Sequence, residues 1–237
     1  TDYLMPVKSK GHRVVLEDLP TPSLVLDLDV LESNIQFMQD RADTLGVRMR
    51  PHIKTHKCLE IGELQRSVGA TGITVATMEE ALAFANAGFD DILWAFPMIS
   101  SRVDDVLRLS SQIEFGVAVD SDTTLRLLSR TRETLSVWIE IDCGYGRSGV
   151  PHKSGLVVRL AQQINAAVGL KLKGCFTHGG HTYKASSPSR IMELAEDERR
   201  AMIDVGDRLR AAGVDPGSLS VGSTPEMSIV ENLEGID

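Results

Sequence analysis

Short extended segments alternate with longer stretches of helical periodicity along most of the chain. Strands that alternate with helices form right-handed βαβ units and therefore a parallel sheet. In the stretch after residue 155, for example, apolar residues recur every three or four positions, at Val157, Leu160, Ile164 and Val168. Eight extended segments are predicted, at residues 23–29, 47–53, 72–77, 91–96, 113–119, 136–142, 171–178 and 218–223.

This number of units predicts an α/β protein built as a TIM-type (β/α) barrel. The chain has 237 residues, of which 42% are hydrophobic, and is long enough to form one large core. A doubly wound open sheet is the alternative architecture. No GxGxxG motif follows the first extended segment, so the barrel is favoured.

Composition and charge exclude several classes of partner. The net charge is −8 and the basic residues form no continuous stripe, which argues against nucleic acid. The sequence contains no run of about 18 apolar residues, so no membrane span is predicted. The first residues also lack the apolar core of a signal peptide. Three cysteines without CxxC spacing are typical of a reduced, cytoplasmic chain. We therefore expect a small-molecule ligand.

Polar residues gather where four predicted strands end, which is the face of a barrel that carries active sites. The four strand ends are HIKTHK at 52–57, DCGYGRSG at 142–149, THGGHTY at 177–183 and GSTPE at 222–226. The first belongs to RPHIKTHK, residues 50–57, here called the basic segment. It contains five cationic or potentially cationic side chains in an acidic chain, and so predicts part of a local anion site.

Lysine and arginine side chains at these strand ends are candidates for chemistry. A lysine at a strand end among other cations loses its proton more readily and can form a Schiff base with a carbonyl compound. Spacing alone does not choose between Lys54 and Lys57. Arg147 lies in a glycine-rich turn, where a guanidinium can hold a fixed oxygen. The alternative for Arg147 is an ion pair with Asp142 or a neighbouring loop.

GSTPE has the pattern of a helix start. Thr224 is predicted as the N-cap, with Pro225 as the first helical residue. Free backbone N–H groups at such a start can hold a phosphate, although a plain helix start has the same pattern. The i,i+3 pair His178 and His181 has no Cys or carboxylate partner, so no metal site is predicted within the chain.

Six motifs together carry a resemblance to a known family. They are TPSLVLDLDVLESNI, RPHIKTHK, GITVATMEEA, EIDCGYGRSGV, THGGHTY and SVGSTP, and they occur in this order between residues 21 and 237. In this set the chain resembles the fold-type III, alanine racemase-like enzymes that use pyridoxal 5'-phosphate (PLP). The similar branch is that of D-threonine aldolase and eukaryotic-type D-serine dehydratase.

The resemblance implies a role for each candidate residue. Lys54 is expected to form the internal aldimine with PLP, and Arg147 to lie near the phenolic oxygen of the cofactor. Tyr183 is expected to hydrogen-bond the pyridine nitrogen, and His178, in the same motif, is counted with the cofactor-binding residues. The remainder of the basic segment would offset cofactor charge. The phosphate is expected on Gly222, Ser223 and Thr224.

The resemblance also implies a domain organisation. Residues 21–237 would form the PLP-binding barrel without its last strand, with 23–29 as a lead-in, and residues 1–20 would join a β-domain. A C-terminal β-domain, absent from this chain, is expected to supply a His and a Cys or Asp to a divalent metal (Zn, Mn or Mg). A homodimer is expected, with each site between the barrel of one subunit and the β-domain of the other. Glu226 replaces a smaller residue of many relatives and bears on substrate preference.

The implied function is that of a PLP-dependent lyase acting on D-3-hydroxy amino acids. In an aldolase, loss of the β-hydroxyl proton would break the Cα–Cβ bond and release glycine and an aldehyde. In a dehydratase, Lys54 would remove the α-proton while a metal helps the β-hydroxyl to leave. Two alternatives are a non-catalytic PLP-binding homeostasis protein and an amino-acid racemase. RPHIKTHK and THGGHTY disfavour the first, and a different lysine motif disfavours the second.

Overall fold

A parallel sheet forms the centre of the computed structural model, which describes residues 16–128 and 134–237. Within these residues the strands follow the order β1-β2-β3-β4-β6-β7, and the short β5 pairs beside β4. The strands are β1 (Ile73–Val75), β2 (Asp91–Pro97), β3 (Glu114–Val119), β4 (Leu135–Asp142), β5 (Val150–Pro151), β6 (Leu170–Thr177) and β7 (Ser218–Ser220).

Helices connect most successive strands. They are α1 (Leu28–Leu45), α2 (Leu59–Ser67), α3 (Met78–Asn86), α4 (Val103–Ser110), α5 (Asp122–Leu128), α6 (Leu156–Ala166), α7 (Pro188–Ala211) and α8 (Thr224–Met227). Short 3-10 turns occur at Leu16–Asp18, Ile53–Thr55, Ser100–Arg102 and Gly180–Lys184. Local sequence sets several ends: the carboxylate of Asp27 caps the start of α1, and Gly46, with φ of 71°, ends it.

The two faces of the sheet bury different residues. The outward-facing residues of the strands, such as Val117 and Ile139, pack with the helices in the main core. Leu93, Ala118, Trp138 and Phe176 alternate with those positions on four neighbouring strands and form a second cluster on the other face. The strands are therefore buried on both sides, which explains their nearly continuous apolar sequences.

The predicted fold class is confirmed. The sheet is a curled parallel half-barrel with helices and matches a TIM-like barrel. Successive strands lie side by side in chain order, without the reversal that marks a doubly wound sheet. The domain boundaries stay a prediction, and of the segment 1–20 only residues 16–20 lie within the described part of the chain.

Two predicted extended segments do not form strands. In 23–29 the backbone pairs with no described strand, Leu24 is 92% exposed, and α1 begins at Leu28. In 47–53 the ladder shrinks to one bridge between His52 and Thr74. A further correction concerns Val168, which is 90% exposed because α6 ends before it. Apolar spacing predicted contacts there that no neighbouring element provides.

Two further observations bear on sequence expectations. None of the helices described is long and apolar enough to cross a membrane. The cysteines Cys58, Cys143 and Cys175 are free thiols. Of the three, Cys175 is buried in the core, whereas Cys58 and Cys143 are only partly buried.

Val137 and Val168 provide a matched test of the core. Val137 lies fully buried in β4, so Val137→Ala is expected to lower the free energy of unfolding by about 2 kcal/mol through lost burial and a cavity. Val168→Ala removes the same two methyl groups at an exposed position and is expected to change it by less than about 0.5 kcal/mol. Urea unfolding measures both, and equal effects would contradict the assigned packing.

Candidate active site at the carboxyl ends of the strands

Lys54 lies at the rim of the half-barrel, in the 3-10 turn that follows the bridge from His52 to β1. Its backbone N–H donates to Nδ1 of His52 at 3.4 Å. Burial, followed by the nearby charge of Arg147, lowers the pKa of the Lys54 amine below its usual 10.5, while Glu80 acts in the opposite direction. The turn therefore presents an exposed amine that gives up its proton more easily than an ordinary lysine.

His52 is a neutral imidazole at the pH of most cells. Burial, and then the charge of Lys54, lower its pKa from 6.5 to about 4. Burial also lowers the pKa of His178, and Arg147 and Lys54 lower it further. The rim thus gathers several nitrogen bases whose positive charge is suppressed by desolvation and by one another.

Aromatic rings connect the loops that follow β4 and β6. The guanidinium of Arg147 lies 5.6 Å from the centre of the Tyr145 ring. The Tyr145 ring centre is 5.9 Å from that of His181 and 6.3 Å from that of His178. The His178 ring centre lies 6.4 Å from that of Tyr183, whose side chain is largely exposed. Two motifs from distant parts of the chain therefore share one wall of the site.

The alternative ion pair of Arg147 with Asp142 is absent among the described residues. One oxygen of Asp142 instead accepts from the N–H groups of Gly144 and Gly146, both at 2.9 Å, and shapes the turn. Arg147 is exposed and its Nε lies 3.5 Å from the Ser148 hydroxyl. Its guanidinium is thus available to an incoming anionic oxygen.

A cleft of about 180 Å³ opens beside Arg147 and contains a buried acid. The hydroxyl of Ser148 donates to Oε1 of Glu140 at 2.5 Å. Burial raises the pKa of Glu140, and this effect outweighs the hydrogen bond from Ser148 and the charge of Arg147. The lining residues are Glu140, Ile141, Asp142, Tyr145, Arg147, Ser148 and His178.

Hydrogen bonds tie the loop after β7 to the loop after β6. Nδ1 of His178 lies 3.3 Å from the carbonyl oxygen of Gly222, a glycine whose φ of 128° suits no other residue type. The hydroxyls of Thr182 and Ser223 are 2.8 Å apart. The N-cap of α8 is Ser223 rather than the predicted Thr224, which is the first helical residue and is exposed.

Two buried glutamates lie behind this loop. Glu198, from α7, and Glu226, from α8, are each 2% exposed, and burial raises the pKa of both. The mutual repulsion of two carboxylates raises the pKa of Glu198 further. A side chain at Gly179 would collide with the Glu226 carboxyl, so the glycine gives this acid its space. The pair therefore binds a proton more tightly than an exposed carboxyl group does.

The structure brings Lys54, Arg147, His178 and Tyr183 into one rim together with the loop 222–224. Arg50 of the basic segment is not there. It pairs with Asp91 at 2.6 Å, at the start of β2 and thus at the opposite end of the sheet. Arg50 is therefore placed to stabilise the barrel base, which corrects the expectation that the whole segment offsets cofactor charge.

Sequence reasoning missed the buried carboxylates. For Glu80 a signal existed, because Thr77-x-x-Glu80 after a strand has the capping-box spacing. Glu140 could have been noticed as an acidic residue within an apolar strand. Nothing in the helical pattern of α7 distinguishes Glu198, because its carboxyl neighbour Glu226 lies elsewhere in the chain.

Comparison with known proteins assigns the family. The family model "Alanine racemase, N-terminal domain" matches residues 26–234, and the chain belongs to this family. D-threo-3-hydroxyaspartate dehydratase of Delftia sp. (strain HT23) is 38% identical over 224 residues, covering 92% of this chain and 59% of the dehydratase. Its solved structure superposes with a TM-score of 0.89. The fold-type III resemblance drawn from the motifs is confirmed.

Two other relatives are named for reactions that differ from each other. D-serine dehydratase of Dictyostelium discoideum is 33% identical, covering 90% of this chain and 58% of that enzyme. The crystal structure of D-threonine aldolase from Filomicrobium marinum superposes with a TM-score of 0.84 at 28% identity, covering 92% of this chain and 61% of that one. This chain thus spans about three fifths of the length of these relatives.

The residues at the rim fit PLP, the cofactor expected from the family. An amine of lowered pKa suits an aldehyde, a guanidinium suits an anionic oxygen, and hydroxyls beside a tight glycine turn suit a phosphate. The described residues do not fit a metal ion in the same way. No group of three or more His, Cys, Asp or Glu among the described residues is placed to hold one.

The paired acids Glu198 and Glu226 generate a prediction about pH. Each binds a proton more tightly in the folded than in the unfolded chain, so their burial costs stability as the pH rises above the usual 4.5 toward their raised pKa values. Glu198→Gln keeps the shape without the charge. It is expected to raise the free energy of unfolding by about 1–2 kcal/mol at pH 8 and to change it little at pH 5.

The control for this variant is Glu193→Gln, which removes an exposed carboxylate of the same helix that pairs with Arg190. It is expected to change the free energy of unfolding by less than about 0.5 kcal/mol at both pH values. Urea unfolding at pH 5 and pH 8 makes the measurement. If the free energy of unfolding depended on pH equally in Glu198→Gln and in the parent protein, the raised pKa of Glu198 would be contradicted.

Proposed function

We propose that this chain forms the cofactor-binding barrel of a PLP-dependent lyase that acts on D-3-hydroxy amino acids. The observation that carries the proposal is the meeting of Lys54, Arg147 and His178 on the rim of an alanine racemase-type barrel. Identity of 38% to D-threo-3-hydroxyaspartate dehydratase supports the lyase class. Dehydration is the first reaction to test, because the identity to D-threo-3-hydroxyaspartate dehydratase, 38%, exceeds the 28% identity to the D-threonine aldolase compared above.

Lys54 is proposed to hold the cofactor through its amine. Bound PLP would supply an electron sink for the bond broken at the substrate Cα. The Lys54 amine would accept the α-proton of the substrate, and its lowered pKa favours the neutral form that this proton transfer needs.

The other rim residues are proposed to orient the cofactor and substrate. Arg147 would hold the phenolic oxygen and Tyr183 the ring nitrogen, with His178 beside them. Because a tyrosine rather than a carboxylate would face that nitrogen, it would stay largely unprotonated. The phosphate is proposed to lie on Gly222, Ser223 and Thr224.

We propose that the divalent metal of the full reaction is bound by ligands outside residues 1–237. One solved structure of the Delftia dehydratase is of a variant in a metal-free form, which supports a metal in that relative. We also propose a cytoplasmic location, supported by the free cysteines, and a homodimer. Three adjacent apolar side chains, Leu24, Val25 and Leu26, are each more than half exposed and support a further protein contact.

Product analysis tests the reaction. The full-length protein, loaded with PLP, is incubated with D-threo-3-hydroxyaspartate, D-serine and D-threonine, with and without added divalent metal. A 2-oxo acid and ammonia would indicate dehydration, and glycine with an aldehyde would indicate aldol cleavage. We expect metal-dependent turnover. Cofactor binding without any turnover would favour the homeostasis protein, and inversion at Cα of a substrate would favour a racemase; either would overturn the proposal.

Borohydride reduction tests the assignment of Lys54. Reduction of the PLP-loaded protein is expected to fix the cofactor covalently to the peptide that carries Lys54, which peptide mass spectrometry identifies. Lys54→Ala should prevent the fixation and lower turnover by about 10²–10⁴-fold or more. The exposed Lys153→Arg is the matched control and should retain both. Cofactor found on Lys57 would contradict the assignment.

A further inference from the structure

Glu80, in the first turn of α3, is a buried carboxylate next to the basic segment. It is 7% exposed, and its Oε2 accepts from the backbone N–H of Ala76 at 2.8 Å. Its Oε1 lies 3.0 Å from Nζ of Lys57. Burial raises its pKa, but the Ala76 N–H and Lys57 outweigh burial, and the net pKa lies below 4.5. Glu80 is therefore an ionised carboxylate inside the protein, which requires pairing.

Lys57 has an unusual backbone. Among the described residues it is the one non-glycine residue with a positive φ, at 49°. This conformation costs about 1–2 kcal/mol for a residue with a side chain. The N–H of Lys57 donates to the carbonyl of Ile53 at 2.8 Å and closes the turn that carries Lys54. The strained residue thus braces the turn with its backbone while its side chain reaches Glu80.

The charge of Glu80 extends beyond Lys57. It acts on His52, Lys54 and His56, and in each case favours the protonated form against the effect of burial. Arg147, from the loop after β4, acts on Lys54 in the opposite direction. Within residues 16–128 and 134–237, Glu80 is the carboxylate whose charge raises the pKa of Lys54.

We propose that Glu80 is a positioning residue for Lys54: paired with Lys57, it anchors the turn that carries Lys54 and is the counter-charge of the two lysines of this turn, Lys54 and Lys57. This inference rests on the proposed role of Lys54 as the cofactor-binding amine. A helix cap alone would need only the contacts of Glu80 with Ala76 and Thr77. The ion pair to a strained residue of another element goes beyond that need.

Competitive labelling of lysines in the cofactor-free full chain tests the proposal. The rate at which trace acetic anhydride modifies Lys54 at pH 7 is proportional to the neutral fraction of its amine. Glu80→Gln removes the negative charge and keeps a hydrogen-bond acceptor, so labelling of Lys54 is expected to rise about threefold. Lys57→Met leaves Glu80 without its cation, so labelling is expected to fall about threefold.

The opposite signs distinguish positioning by charge from simple loosening. A loosened turn would bring the Lys54 amine into fuller contact with water in both variants. Its pKa would then return toward the usual value, and its labelling would be slower in both. The double variant Glu80→Gln with Lys57→Met removes both charges and is expected to label near the parent rate. Glu79→Gln, at an exposed neighbouring carboxylate that pairs with Arg102, is the matched control and should leave the rate unchanged.

Slower labelling in Glu80→Gln, or a rate equal to that of Glu79→Gln, would overturn the inference. Urea unfolding of each variant confirms that the labelled chain is folded, and Glu80→Gln, which preserves shape, decides the outcome if Lys57→Met does not fold. The labelling needs no cofactor. If the labelling result is negative but borohydride fixes the cofactor to Lys54, only the role of Glu80 is refuted. If borohydride fixes the cofactor to another residue, the proposed function is refuted.

Discussion

The parallel ladder of hydrogen bonds from β1 to β7 is the constraint on which the site depends. Each strand pairs with its neighbour in chain order, so the carboxyl ends of all these strands lie along one rim. Residues that directly follow different strands therefore meet. His178 and Gly222 are 44 positions apart in the chain, yet the Nδ1 of the first lies 3.3 Å from the carbonyl oxygen of the second.

Desolvation and pairing set the proton affinities around that rim. Burial suppresses the positive charge of His52 and eases loss of the proton from Lys54. Burial also raises the pKa of Glu140, so this acid holds its proton to a higher pH than an exposed carboxyl group does. At Glu80 the result reverses, because a backbone N–H and Lys57 stabilise the ionised form. Burial thus lowers the pKa of the bases and raises that of Glu140, while at Glu80 the partners outweigh burial and lower the pKa.

Helices with complete local signals were predictable from the chain alone. Helix α7 (Pro188–Ala211) has such signals, because its apolar spacing is long and a serine followed by proline begins it. The segments 23–29 and 47–53 were wrong as strands. Their alternation of apolar residues satisfies the strand pattern, but a strand also needs a neighbour with which to pair, and the sequence pattern contains no information about that neighbour.

The sequence by itself determined the α/β class, because periodicity and turn residues act locally, and its motifs identified the four polar segments of the rim and the family. Only the tertiary structure decided which charges share an environment. Arg50 lies within seven positions of every other residue of the basic segment, yet the fold separates it from them and pairs it with Asp91 at the base of the sheet. It also buried Glu80 beside Lys57 and Glu198 beside Glu226. Burial and pairing are properties of the packed chain, since they arise between residues that no local pattern connects.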